Sequence, residues 1–244
     1  MSSTDAASAR FVATHSILSL DARHPLVAKS LVDAHDMHRT VMSGFRGWVE
    51  DGDPAARSHM GLLSTWSLDL KAAVLVLVVQ SRIPGDWNRI PRAAHTAPPH
   101  VITVDRTFKA GESVGFRTVV NPTRSKPRRG PSDEPGRAQG RSVRTAHSTP
   151  EHVKRWFTRR LQPDGEPASV EDGVARIGAT ADPDTLAIRM LPTVSSAHRN
   201  KPVRIGRAEI RGTLTVTDPD TLVNVLSNGL GHARPYSCGL ILTR

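Results

Sequence analysis

The chain contains 244 residues, which is enough for one large domain or two domains of ordinary size. Its 33 lysines and arginines exceed its 23 acidic residues and give a formal net charge of +10. A globular chain this basic is usually matched to a polyanion, most often nucleic acid, although a soluble protein with a merely basic surface has the same balance.

The sequence excludes several other classes of protein. Cys238 is the single cysteine, which rules out an internal disulfide and a cysteine-based zinc site. The longest apolar run, Ala72–Val79, is far shorter than the ~20 residues of a membrane helix. The segment Met1–Arg10 is small and polar and has no apolar signal core. We therefore expect a cytoplasmic protein with no membrane contact.

The first half of the chain has the pattern strand, helix, strand, strand, weak helix, strand. Apolar residues recur with helical spacing from Val27 to Trp48, after a proline at Pro25 that suits a first helical turn. The run Ala72–Gln80 is almost wholly apolar, which is typical of a central strand. The other predicted strands are Phe11–Leu20, Met60–Leu70 and His100–Asp105, and Pro84–Pro99 has room for a short helix at most.

The second half repeats this order. Thr149-Pro150-Glu151 is a helix start, followed by a buried stripe at Val153, Trp156, Phe157 and Leu161. A second helix is predicted over Asp218–Leu226, and Gly229 ends it. The predicted strands are Glu112–Val120, Thr185–Leu191, Ala208–Val216 and Leu240–Leu242.

This order predicts an α+β protein of two tandem β-α-β-β-α-β units, that is, two ferredoxin-like (RRM-like) domains. We expect the domains to cover residues 1–106 and 107–244, with the helices on one face of each antiparallel sheet. Aromatic residues make up only 4% of the chain, and no segment resembles the aromatic consensus with which RRM sheets stack bases. If RNA is bound, backbone charge and shape should supply most of the affinity.

Positive charge is concentrated after the first predicted strand of the second domain. The span Thr123–Thr149 is basic, rich in glycine, proline and serine, and has no apolar period, so we predict a mobile basic loop. The helix that follows is basic opposite its apolar stripe; such a face is often simply solvated, but here it adjoins the basic loop. The candidate phosphate contacts are Arg124, Lys126, Arg128, Arg129, Lys154, Arg155, Arg159 and Arg160.

A glycine-rich loop precedes the last strand. Gly229 and Gly231 allow backbone amides to approach an anion, and His232 and Arg234 add charge. The dipole at the end of the preceding helix disfavours an anion near Gly229, so the loop amides and Arg234 would have to hold a phosphate. The alternative is an ordinary turn before a strand.

Two histidines lie three residues apart on the first predicted helix, so His35 and His38 share a face, and Arg39 lies one turn from His35. Histidine titrates nearest neutrality, so two can act as base and acid in one turnover while a cation steadies a phosphorane. RNA cleavage by attack of the 2′-hydroxyl needs this pairing. The alternative is that both histidines border the apolar stripe. No nearby acidic or sulfur ligand completes a metal site, so we expect no metal and no cofactor.

Three segments together resemble one known family. Asp33–Phe45 is similar to a family helix in which a leucine-histidine pair precedes an apolar run ending at phenylalanine. Gly115–Pro122 resembles a Phe-Arg-x-x-x-Asn-Pro strand that opens the second domain. Gly229–Leu240 resembles the closing signature Gly-x-Gly-x-Ala-Lys/Arg-x-x-Gly-Cys-Gly-Leu. On these motifs the chain resembles the CasE family, the CRISPR repeat-processing endoribonucleases of type I-E Cascade.

The resemblance implies two ferredoxin-like domains that face each other and bind RNA along basic surfaces. It implies metal-independent cleavage of the repeat hairpin in precursor crRNA, leaving a 2′,3′-cyclic phosphate and a 5′-hydroxyl. The product would stay bound and enter Cascade with the other subunits. Ser237 replaces a glycine usual in the closing signature, and Cys238 matches a cysteine that we interpret as packing.

Residue roles follow from the same resemblance. His38 matches the catalytic histidine and is assigned as general acid. His35 falls where several members have an assisting tyrosine, and we interpret it as base or positioner, with Arg39 as phosphate stabiliser. Arg155, Arg159, Arg160 and the basic loop would bind the stem, and Arg234 the backbone at the glycine loop.

Two other functions fit the composition. A non-catalytic subunit that holds a structured guide RNA would use the same basic surfaces, with His35 and His38 as packing residues. A ribosomal or assembly protein would bind ribosomal RNA and ignore CRISPR hairpins. The three motifs taken together favour the endoribonuclease.

Overall fold

The computed structural model describes residues 6–48, 53, 55–126, 143–167, 174–196 and 203–244. The first half forms a four-stranded antiparallel sheet in the order β2-β3-β1-β4. Its strands are β1 (Ser8–Asp21), β2 (Leu63–Asp69), β3 (Val74–Ser81) and β4 (His95–Lys109). This order, with every neighbour antiparallel, is that of a ferredoxin-like unit, and the apolar strand β3 is central as predicted.

The single helix predicted after β1 is in fact two helices. These are α1 (Pro25–Val32) and α2 (Ala34–Ser43), separated by Asp33 in an extended conformation. The Asp33 carboxylate accepts hydrogen bonds from the amides of His35 and Asp36 at 2.7 and 3.2 Å. These bonds satisfy amides that a new helix leaves unpaired, so a local cap interrupts a segment whose apolar period runs on.

Other departures in the first half are small. A one-turn helix α3 (Ala56–His59) precedes β2 and was not predicted. The weak helix allowed between Pro84 and Pro99 is a single 3-10 turn, Arg92–Ala94. Strand β4 continues to Lys109, past the predicted boundary at residue 106, and the next strand begins at Ser113. The division into residues 1–106 and 107–244 stays a prediction.

The second half forms a sheet in the order β11-β5-β10-β8, with β9 also paired to β10. Its strands are β5 (Ser113–Val120), β8 (Ala179–Thr180), β9 (Ala187–Ser196), β10 (Val203–Val216) and β11 (Ile241–Thr243). Its helices are α4 (Pro150–Thr158) and α5 (Pro219–Asn228). Both predicted helix starts are confirmed, and each has an N-cap, because the side chains of Thr149 and Asp218 accept hydrogen bonds from first-turn amides.

The span predicted as a mobile basic loop is structured at both ends. Strands β6 (Thr123–Lys126) and β7 (Val143–Ala146) pair as an antiparallel ribbon. Threonine and valine at these ends favour strands, which the abundance of glycine and proline between them concealed. The middle of the predicted loop, with Arg128 and Arg129, lies outside the described residues.

The two halves share a hydrophobic core. Phe11 and Ala13 of β1 and Phe108 of β4 pack among buried residues of α4, α5 and the second sheet. Gln80 of β3 donates from Nε2 to the Leu226 carbonyl of α5 at 2.8 Å. Helix α5 thus packs on the first sheet as well as on its own. No helix in the described part of the chain is long and apolar enough to span a membrane.

The loop after α5 depends on one close backbone approach. Gly239 has a φ of +90°, its amide donates to the Val119 carbonyl at 2.7 Å, and a Cβ there would lie 2.5 Å from the Leu230 carbonyl oxygen. Gly111 has a similar φ of +83° but has open space where a Cβ would lie. Substitutions at the two positions therefore distinguish the cost of a positive φ, which both share, from the cost of steric overlap, which only Gly239 has.

We predict that Gly239→Ala lowers the free energy of unfolding by about 3 kcal/mol, from a positive-φ penalty plus overpacking. Gly111→Ala should cost only about 1 kcal/mol, because it has the φ penalty alone. Urea unfolding of both variants measures the difference. Equal losses would contradict the proposed overlap at Gly239.

Candidate active site and basic groove

Helix α2 holds both predicted histidines at the junction of the two halves. Its apolar side, with Met37 and Val41, is buried in the first core, which leaves His35 and His38 partly buried at the surface of the helix. Asp33, at the start of this helix, is bonded to the second half of the chain, because its Oδ2 accepts a hydrogen bond from Ser196 Oγ of β9 at 2.6 Å. The histidines are therefore positioned by both halves of the chain.

The glycine-rich loop brings a tyrosine to these histidines. The Tyr236 ring centroid lies 5.4 Å from that of His35 and 6.3 Å from that of His38, both edge-on. Its hydroxyl is 3.5 Å from His35 Nδ1. Burial, and then the charge of Asp33, raises the pKa of Tyr236, so the phenol remains protonated and able to donate a hydrogen bond.

Sequence reasoning missed Tyr236 as a site residue. It is the only tyrosine in the chain and lies inside the closing motif, so a signal was present. It stands in a 3-10 turn, Arg234–Tyr236, flanked by positive φ angles of 60° at Ala233 and 59° at Ser237. Ser237, where a glycine is usual in the motif, thus adopts a backbone conformation that favours glycine, and its hydroxyl is 2.9 Å from that of Ser64.

Arg57 at α3 is the second residue that the sequence did not indicate. Its Nη1 donates to the Leu62 carbonyl at 2.8 Å, which holds the side chain in a partly buried position. Burial, together with the nearby charge of Arg234, lowers the pKa of Arg57. It belongs to no motif, and only the folded chain brings it near the histidines.

The environment of His38 favours its neutral form. Burial lowers the pKa of the imidazole, and the positive charge of Arg57 lowers it further. The Pro235 carbonyl, which accepts a hydrogen bond from the ring, acts in the opposite direction but does not outweigh them. A histidinium in this position gives up its proton more readily than a free one.

Arg39, predicted to stabilise a phosphate, is exposed and paired within its own helix. Its Nη1 donates to Asp36 Oδ1 at 2.7 Å, and Lys29 Nζ lies 3.5 Å from the other carboxylate oxygen. The role of Arg39 stays a prediction.

Most of the predicted RNA-binding residues line one cavity of about 790 Å³ between α4, the ribbon β6–β7 and the glycine loop. We call it the basic groove. The predicted residues that line it are Arg124, Arg155, Arg159, Arg160, Gly229, Gly231, His232 and Arg234. None of the described residues that line it is acidic, so its positive field is not neutralised from within.

Packing shapes the floor of the basic groove. The guanidinium of Arg160 lies 3.6 Å from the Trp156 ring centroid and donates to the Trp156 carbonyl at 2.6 Å. A Cβ at Gly231 would lie 3.2 Å from the same ring, so glycine lets the loop approach α4 closely. Gly229 ends α5 as predicted, with a φ of +79°.

Two other predicted phosphate contacts, Lys154 and Lys126, are not among the residues that line the basic groove. Lys154 points to the other side of α4, where its Nζ lies 2.6 Å from Asp184 Oδ1. Lys126 is on β6, but its side chain is not described. The rings of His147 and His152 lie near the start of α4, tilted by 36° with 5.6 Å between their centroids. Burial lowers the pKa of His147, as do nearby positive charges led by Arg124.

Cys238 of the closing motif is fully buried, and burial raises the pKa of its thiol to about 12. The thiol therefore stays protonated and packs in a small apolar cluster with Val119 and Ile205. This agrees with the packing role expected from the sequence.

The sequence and fold match known proteins. Residues 15–244 match the model of a family described as CRISPR associated protein. No curated protein matches the sequence. Among solved structures, Cse3 of Thermus thermophilus, bound to an RNA representing a pre-cleavage complex, is 20% identical with a TM-score of 0.64, over 96% of this chain and 100% of that one.

Two further structures are similar. Cas6e of Escherichia coli K-12 is 18% identical with a TM-score of 0.55, covering 95% of this chain and 98% of that one. A chain of a CRISPR RNA-guided surveillance complex is 19% identical with a TM-score of 0.56, covering 95% and 98%. At such identities the likeness establishes the fold, which is the predicted pair of ferredoxin-like domains.

We predict that Arg57→Gln raises the pKa of His38, because it removes the adjacent positive charge that disfavours the imidazolium. The proton would then be lost at a higher pH than in the parent protein. Titration of the His38 ring by NMR measures the shift. Arg57→Lys keeps the charge and should leave the pKa nearly unchanged; the same rise in both variants would contradict an effect of charge.

Proposed function

The chain belongs to the CRISPR-associated protein family, and from this premise we propose that it is an endoribonuclease that cuts the repeat hairpin of precursor crRNA. The observation that supports this most directly is the meeting of His35, His38 and Tyr236 near the charge of Arg57. Arg234 links the two features, because it lines the basic groove and its charge acts on Arg57.

The reaction would be an internal transfer at phosphorus. The 2′-oxygen attacks the adjacent phosphorus, the bond to the 5′-oxygen breaks, and a 2′,3′-cyclic phosphate and a 5′-hydroxyl result. One group takes the proton of the 2′-hydroxyl and another protonates the departing 5′-oxygen. The protein takes up one proton and gives up another, so no net proton is transferred. Because the nucleophile is the 2′-oxygen of the RNA itself, this step consumes no water and needs no redox partner.

His38 suits the role of general acid. Its lowered pKa makes the imidazolium a stronger proton donor, although less of it is protonated at neutral pH. His35 would take the proton of the 2′-hydroxyl or orient that group, and the Tyr236 hydroxyl near its Nδ1 supports one ring orientation. Arg57 and Arg234 are close to each other and would hold the charge of the phosphorane.

The basic groove would bind the stem of the hairpin. Arg155 and Arg159 are exposed on α4, and Arg124 projects from the ribbon opposite them. Such contacts go to the phosphate backbone, so they fix the position of the duplex without reading its sequence. Cse3 has been solved bound to RNA, and a similar chain has been solved in an RNA-guided surveillance complex. We infer that this protein likewise retains the cut crRNA as a Cascade subunit in the cytoplasm.

His38→Ala should lower the single-turnover cleavage rate of the cognate repeat RNA by about 10³-fold, as expected for loss of a general acid. The dissociation constant should change little, because the groove is intact. His100→Ala, which removes an exposed histidine from β4, is the matched control. Unchanged cleavage in His38→Ala would remove His38 from the mechanism.

The same assay tests the alternative of a non-catalytic guide-holding subunit. Labelled repeat RNA should be cut by the parent protein in excess EDTA, and the products should carry the cyclic phosphate. A protein that binds the repeat tightly but leaves it uncut, with and without EDTA, would support the alternative.

Arg155→Gln/Arg159→Gln should weaken binding of the hairpin and reduce the slope of log Kd against log salt by about 2, since each phosphate contact contributes roughly 0.9. Arg10→Gln/Arg23→Gln makes the same charge change on the first half of the chain, at β1 and the turn after it, and should leave the slope unchanged. An unaltered slope in the α4 variant would show that this helix does not contact phosphate.

A further inference from the structure

The second sheet has a charged face opposite α4 and α5. Val114 and Phe116 of β5 and Ile210 of β10 point into the core with the two helices, so their strand neighbours point the other way. On that opposite side Glu209, only 4% exposed, accepts ion pairs from Arg117 and Arg211 at 2.7 Å each and lies 3.4 Å from Arg189. Three guanidinium groups therefore surround one carboxylate.

The face has a large excess of positive charge. In the strand register Arg117 lies directly opposite Arg211, a like-charge pair that weakens a sheet unless something offsets it. The side chain of Arg244 lies against Gly115 on the same face, where a Cβ would be 3.0 Å from its Cγ and Nε. Glu209 is the one acidic residue of this cluster, so its charge cannot balance four arginines.

The excess charge is accessible and held in place. The side chains of Arg189 and Arg211 are 64% and 53% exposed, so the N–H groups that do not reach Glu209 face solvent. A guanidinium already oriented by a carboxylate loses little freedom on binding, and its fork of donors matches a phosphate. We call these four residues (Arg117, Arg189, Arg211 and Arg244) the arginine face.

Strand β9 connects the candidate active site to the arginine face. Strand β9 ends at Ser196, which is bonded to Asp33 at the start of α2, and runs from there to Arg189. Seven residues of strand span about 23 Å. Near Ser196 the first half of the chain covers this side of the second sheet. Arg207 is buried there, with its guanidinium 4.0 Å from the Trp66 ring centroid. Farther along the strand the first half no longer covers the sheet, and Arg189 and Arg211 are exposed.

We propose that the arginine face is a second RNA-binding surface, which holds the phosphates of single-stranded RNA flanking the hairpin. The proposal rests on the proposed function, because it assumes that a hairpin occupies the basic groove on the opposite side of the same sheet. An RNA strand that leaves the candidate active site away from that groove would follow β9 past the covered segment to this face.

The composition of the arginine face favours RNA over a protein partner. Protein interfaces have an apolar core, and none of the large exposed hydrophobic residues among those described lies on β5, β9, β10 or β11. The face also has no aromatic side chain on which a base could stack, since Phe116 points into the core. Contact is therefore with phosphates, and binding does not depend on the sequence of the flank.

Arg189→Gln/Arg211→Gln tests this proposal and leaves Arg117 to pair with the buried Glu209. The probes are the repeat hairpin alone and the same hairpin with a twelve-nucleotide unpaired extension on its 5′ or 3′ side. We expect one extended RNA to bind about ten-fold more weakly to the variant than to the parent protein, with a salt slope lower by about 2. The hairpin alone should bind equally to both, and uridine-rich and adenine-rich extensions should behave alike.

Arg89→Gln/Arg92→Gln, a matched charge change on the first half, should leave binding of both probes unchanged. Unaltered binding of both extended RNAs in the arginine-face variant would overturn the proposal, and so would an equal loss for the hairpin alone. If polyglutamate bound the parent protein but not the variant, while RNA binding was unaltered, the face would belong to an acidic protein segment instead. Cleavage of the hairpin is measured in parallel, so failure of the proposed function would appear as an uncut hairpin in the parent protein, separately from the effect of the extension.

Discussion

Asp33 is the residue on which the geometry of the candidate site depends. Its Oδ1 caps α2 by accepting hydrogen bonds from the amides of His35 and Asp36. Its Oδ2 accepts a hydrogen bond from the hydroxyl of Ser196 in the second half. Those bonds lower the pKa of Asp33, that from Ser196 most, so the cap stays ionised well below neutral pH. One side chain thus sets where α2 begins and how that helix is oriented towards the second sheet.

The site is divided between the two halves, so its precision depends on how they pack. His35 and His38 come from the first half, and Tyr236 comes from a loop of the second whose backbone is held at positive φ. Buried polar contacts such as Ser64 with Ser237 fix this loop against β2, and a buried polar pair is sensitive to small displacements. The distances within the candidate site therefore depend more on a rigid interface between the two halves than on the stability of either half alone.

Much of the fold was predictable because it follows local rules. Runs of apolar and β-branched residues indicated the strands, and Thr149 and Asp218 marked helix starts that the structure confirms. The break at Asp33 was not predicted, because the apolar period continues through it and only the cap and the contact with Ser196 distinguish the position. The spacing of His35 and His38 singled them out, and the resemblance to the CasE helix suggested their roles. Tyr236 and Arg57 reach them only through tertiary packing, which periodicity along the chain does not encode.

The shared core has a consequence for the order in which the protein acquires its structure during translation. Phe11 and Phe108 belong to strands of the first sheet, yet they are buried among residues of α4 and α5, which the ribosome makes after the whole first half. Until Leu222 and Leu226 emerge, the nascent first half exposes aromatic surface that its own helices do not cover. The first half therefore reaches its final packing only after α5 has emerged, and until then a chaperone would be of use.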